Sequence, residues 1–245
     1  MTTLRNPLLP LIPIVPTVLD GVPRARMMAM RAAGERVLQA EQQLLDQGSS
    51  VVGEILKDSP DFYQWDHYPN GDVYDWDTHA QYYYHAHPPD KRDNQWADEH
   101  GHFHTFLHPR GLPEGVQRIP DAHPDDNDAV SHIIAISIDT AGQAQRLFTT
   151  NRWVTGETWY PAADVKRMLE NFRVTHDAPS GAVNMWITSM LELFGPTIEA
   201  LLDARDATVA ARASDEVHND HALEVTSLAD ISVSEKCAAL DAALA

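Results

Sequence analysis

The stretch Asp98–His108 reads DEHGHFHTFLH, and its alternation decides how the chain folds. On a β-strand, successive side chains point to opposite faces. The even positions are His100, His102, His104, Phe106 and His108, and the odd positions are Gly101, Phe103, Thr105 and Leu107. One face of the strand is therefore mostly imidazole and the other mostly apolar. Upstream, DTHAQYYYHAH divides the same way: Asp77, His79, Gln81, Tyr83, His85 and His87 alternate with Ala80, Tyr82, Tyr84 and Ala86. Ten of the 13 histidines fall between His67 and His132.

Working outward, four segments carry strand character: His79–His87, His100–His108, Val130–Asp139 and Ala144–Val154. They are rich in aromatic and β-branched residues. Thr140-Ala141-Gly142 joins the last two as a hairpin connection. The expected core is an antiparallel sheet of four or more strands. Before it, residues 24–48 read as a helix, with Met27, Met30, Val37, Leu38, Leu44 and Leu45 near helical spacing and Gly48 as the stop. A loop-rich stretch with a turn at Pro69-Asn70-Gly71 follows. After the sheet, Pro161 opens a helix reaching about Phe172. AVNMWITSMLELF and PTIEALLDARDATVAAR give two more helices, and the tail adds a strand and a short helix. The reading is a single α+β domain over residues 1–245. Residues 1–23 form an extended N-terminal arm, 75–155 the sheet with the histidine cluster, and 161–245 a mainly helical part.

The 245 residues carry a formal charge of −18 from 18 basic and 36 acidic side chains. That argues against nucleic acid and against anionic membrane surfaces as partners. No run is long and apolar enough to span a bilayer. The one cysteine, Cys237, allows no internal disulfide, so a reducing compartment, the cytoplasm, is the expected location. Walker A, G-x-G-x-x-G, G-x-S-x-G and H-E-x-x-H patterns are all missing from the sequence.

Histidines two apart on a strand stand about 6–7 Å apart, and cross-strand neighbours about 5 Å. If the two strands pair, His85 and His87 face His102 and His104, and their rings can converge on one ion. His132 begins the next strand, with the parity of Ile134 and Ile136, and is a further ligand or an orienting group. Glu99 has the opposite parity to His100, so it joins only if the strand is bulged. Nitrogen-rich ligation suits zinc, iron or copper, not magnesium or calcium. Tyr83 shares the histidine face. Arg152 is a candidate anchor for an anionic substrate and Glu157 a candidate general base, although a structural Arg–Glu pair is equally consistent. His67, His108, His123, His176, His218 and His221 read as surface residues.

HYPNGDVYDWDTHAQYYYHAHPP, EHGHFHTFL and LFTTNRWVTGETWY resemble an uncharacterised bacterial domain-of-unknown-function family, over about residues 24 to 230. That resemblance implies no activity. Over a few residues HFH is also similar to the zinc site of alpha-type carbonic anhydrases, but the helical C-terminal half departs from that all-β fold. Three functional readings stand. The first is a metal-dependent enzyme acting on a small molecule by activating water or dioxygen. The second is a non-catalytic metal buffer, chaperone or sensor, and the third a metal-free structural or interaction protein.

Overall fold

The computed structural model describes residues 19–87, 98–117, 130–212, 214 and 216–245. Most of the N-terminal arm, much of the two long loops at 88–99 and 109–129, and His123 lie outside the described residues.

The architecture is α+β. Six strands, β1 (Tyr68–Tyr74), β2 (Ala80–His85), β3 (Glu99–Leu107), β4 (Ser131–Asp139), β5 (Ala144–Thr150) and β6 (Val225–Asp230), lie in chain order in one sheet. Every neighbouring pair is antiparallel. The helices are α1 (Arg24–Asp46), α2 (Val51–Leu56), α3 (Arg152–Thr155), α4 (Ala162–Asn171), α5 (Gly181–Leu193), α6 (Gly195–Ala211) and α7 (Val233–Leu244).

In α1, Met30, Ala33, Val37, Ala40 and Leu44 recur every three or four residues and are buried. Leu38 and Leu45 of the expected stripe are instead exposed, at 44% and 67%. Gly34 lets α1 approach α5 and α7: a Cβ there would stand 2.5 Å from Cys237 Sγ. One face of the sheet packs on these helices. Tyr82, Tyr84, Phe103, Leu107, Ile134, Ile136, Ile138 and Leu147 form its side of the core. Phe103 meets Trp186 of α5 with ring centroids 5.8 Å apart, and Tyr82 donates its hydroxyl to Asn184 Oδ1 at 2.5 Å. Asp75 pins the β1–β2 turn to the segment before α5. It accepts from the N–H groups of Asp77, Thr78 and Thr175 and from the Thr175 hydroxyl.

Three expectations change. Pro69-Asn70-Gly71 does not end a loop but lies within β1, where the register steps from Tyr68↔Tyr84 to Val73↔Tyr82. The extra residues are looped out, with Gly71 and Asp72 at φ 85° and 58°, so the turn residues build a large bulge. The strand expected to reach Val154 stops at Thr150, because Asn151 caps α3 by accepting the Arg152 N–H at 2.9 Å. The short helix α2, opened by Ser50 capping Gly53, falls in what reads as loop.

Candidate metal centre

The histidine face is the other side of the same sheet. The β2–β3 register sets His85 opposite His102 and Tyr83 opposite His104. One nitrogen each from His85, His102 and His104 lies within 4.8 Å of the others, and all three residues are buried. The Nε2 atoms of His85 and His102 are 2.7 Å apart. Two nitrogens bound to one ion at about 2.0–2.1 Å would sit roughly 3 Å apart, so little movement would seat an ion between them.

Two bulges complete the face. Between Glu99 and Gly101, β3 advances two residues while β4 advances one, from Asp139 to Ile138. His100 is the extra residue. It leaves the histidine face, contrary to its even parity, and stacks on Tyr84 and Phe62 with Nδ1 2.5 Å from the Tyr84 hydroxyl. Gly101 makes room for this, since a Cβ there would meet Tyr84 Oη at 2.4 Å. Glu99 is thereby turned inward. Its Oε1 accepts from His102 Nδ1 at 2.9 Å and its Oε2 from the Ser137 hydroxyl at 2.5 Å. A carboxylate on Nδ1 fixes the tautomer that puts the lone pair on Nε2, the atom that meets His85 Nε2.

At the other end, Thr105 pairs with Ile134 but Phe106 pairs with His132, so Ile133 is the extra residue on β4. The bulge turns His132 away from the apolar face that its parity with Ile134 and Ile136 gives it. His104 Nδ1 lies 3.0 Å from His132 Nε2, and His132 Nδ1 lies 3.5 Å from Thr150 Oγ1. Burial pushes the imidazole of His132 down to about 3, with Arg205 acting the same way, so it is neutral. His104 is also driven well below the ordinary histidine value, first by burial, then by His132 and His85. His132 therefore stands behind His104, as Glu99 stands behind His102. His104 Nε2 is buried and has no hydrogen-bond partner among the described residues.

The remaining candidates are spread around this triad. His87 is half-buried, its ring 4.9 Å from that of His85 and 5.2 Å from that of His102. Tyr83 lies 5.3 Å from His104, ring to ring. Burial pushes its phenol upward, and the fields of Asp72 and Glu157 add to that, so it stays protonated. Glu157 is 1% exposed, and its Oε2 accepts the His132 backbone N–H at 2.9 Å. Burial raises its carboxyl to about 8, with Arg205 pulling it back down. It borders the centre through His132 and does not join the triad. Arg152 points elsewhere, donating to Asn219 Oδ1 at 2.5 Å.

His67, read as a surface residue, is exposed at 44% and also stands beside the site. Its ring lies 3.6 Å from that of Tyr83 at an angle of 9°, and 5.8 Å from that of His85. The signal that finds it is the bulge in β1, which spacing alone does not reveal.

Fold and site together define an α+β chain with a buried histidine triad flanked by carboxylates. A family model described as Domain of unknown function (DUF6969) matches residues 31–231, and the chain belongs to that family. No curated protein and no solved structure matches it. No helix among the described residues is long and apolar enough to cross a membrane.

Proposed function

We propose that this chain is a metal-binding protein whose His85, His102 and His104 hold one transition-metal ion, zinc, iron or copper, in an enzyme acting on a small molecule. The observation that carries the reading is the convergence of three buried imidazole nitrogens within 4.8 Å, two of them with oriented partners behind them. Burying unpaired polar nitrogen costs roughly 1–3 kcal/mol, and an ion would meet that cost at His104 Nε2. Three histidines would leave a bound ion with a coordination position for substrate, and the chemistry such an ion would supply there is activation of water or dioxygen. Around it, the residues of this chain have separable parts. Glu99 and His132 hold ligand rings in one tautomer, Tyr83 keeps a phenolic hydroxyl beside the centre, and Glu157 sits behind His132 as a proton-holding carboxyl.

The test is elemental analysis of untagged protein purified without chelator, beside the His102→Ala/His104→Ala double variant. About one equivalent of zinc, iron or copper per chain, lost in the variant, is the expected result. Equal metal in both, or none in either after anaerobic reconstitution, overturns the assignment. A non-catalytic metal binder is favoured by one observation: His102 and His104 are each only 1% exposed. Azide binding to the cobalt-substituted protein, read from its visible spectrum, separates the two, because a closed site takes no azide.

A further inference from the structure

The triad is flanked by rings that do not belong to it, and where two of them, Trp65 and His67, reach the surface they are its mouth. Trp65 is 55% exposed and sits at φ 76°. A tryptophan in that region is strained and persists only where its surroundings enforce it. Its N–H donates to the Ala86 carbonyl at 3.0 Å, and its ring meets His87 edge-on at 4.3 Å. His87 in turn leans on His85 and His102. On the other side of His85, the half-exposed His67 ring is held flat against Tyr83.

His67 is fixed from behind as well. Its Nδ1 lies 3.3 Å from Asp72 Oδ1. Asp72 occupies the left-handed region in the β1 bulge, and its Oδ2 accepts from Gln81 Nε2 at 2.6 Å. The Gln81 carbonyl oxygen meets His108 Nε2. A side chain so constrained, yet open to solvent, has its second nitrogen, Nε2, left for a ligand.

We propose that this mouth binds a small, neutral, planar aromatic molecule bearing a hydroxyl group, with Trp65 and His87 against its ring and His67 Nε2 bonded to the hydroxyl. The proposal rests on the metal-centre reading only for what happens to the ligand once bound. Trp65 and His87 meet at 77° and form a corner, against which one flat ring can stand face-on to one and edge-on to the other. One fixed nitrogen suits one polar substituent, whereas a sugar would call for several. A formal charge of −18 disfavours an anionic ligand.

The experiment uses phenol as probe, by calorimetry on the full chain, metal-loaded and chelator-treated, against cyclohexanol, methyl glucoside and benzoate. Phenol is expected to bind about tenfold more tightly than each comparator. Trp65→Ala should weaken it about two- to tenfold, and Trp65→Phe should restore most of that loss. His67→Phe, which keeps a ring and removes the nitrogen, should weaken phenol several-fold and leave metal content unchanged. Equal binding of cyclohexanol or the glucoside, no phenol binding, or phenol binding indifferent to both Trp65→Ala and His67→Phe overturns the proposal. Phenol binding that persists in a protein holding no metal sinks the metal reading and leaves this one standing. A metal-loaded protein that ignores phenol does the reverse.

Discussion

The two faces of the sheet are buried to the same degree by opposite chemistry. Phe103, Ile134 and Ile136 on the helix side are 0% exposed, and His102 and His104 on the other side are 1% exposed. The first set is there because removing apolar surface from water is favourable. The second set gains little from burial and must find partners for each polar atom or lose free energy. Glu99 and His132 supply partners at the Nδ1 atoms of His102 and His104, and Ser137 and Thr150 back them in turn, while His104 Nε2 has none among the described residues. The helix face supplies stability while the histidine face uses it.

Cutting each face in turn separates their roles. Phe103→Ala, on the helix face, should destabilise the fold by about 3–5 kcal/mol in urea unfolding, whereas the His102→Ala/His104→Ala variant should keep its far-ultraviolet spectrum. If the histidine variant unfolds and the phenylalanine variant does not, the division of labour is wrong. A finer cut removes one charge. Glu99→Gln keeps the shape but takes the anionic acceptor from His102 Nδ1, and should weaken metal affinity about 10- to 100-fold by competition with a chelator. An unchanged affinity would mean that Glu99 serves only Ser137.

The faces should also part in their response to pH, measured on the metal-free protein. His132 is held near 3 and His104 well below its ordinary 6.5, so the unfolded chain takes up protons that the folded chain refuses. Their contribution is full above pH 6.5 and falls as the pH drops below it, for His132 through about 3. Glu157 has the opposite sign. Raised from 4.5 to about 8, it keeps its proton folded and loses it unfolded, so its contribution is full below pH 4.5 and is lost as the pH rises through 8. Urea unfolding across pH 4–9 should give a dome. His132→Gln should flatten its acid limb and Glu157→Gln its alkaline limb, and a variant that moves the wrong limb would reverse the assignment. Smallest of all, Leu45→Gln on the exposed side of α1 should change stability by no more than about 0.5 kcal/mol.

The pattern of residues by itself determined that there would be an antiparallel sheet, helices on both sides of it in the chain, and one strand face of histidine. Period-two alternation over DTHAQYYYHAH and DEHGHFHTFLH is a local property, set by the geometry of a strand. Pairing His85 with His102 needed these strands to be neighbours and to pair in the register that sets Tyr84 opposite Phe103. The carboxylate and the histidine that back the triad were not legible in the same way. Glu99 and His132 have the wrong parity, and each reaches the histidine face through one extra residue, His100 in β3 and Ile133 in β4. His67 reaches the mouth through the looped-out residues of β1. A bulge is fixed by hydrogen bonding to the partner strand and by what the turned side chain then meets, neither of which is written in the spacing of one strand. Tertiary structure alone decided these three positions, because only there do the Ser137 hydroxyl, the His104 ring and the Tyr83 face stand where each can hold the turned residue.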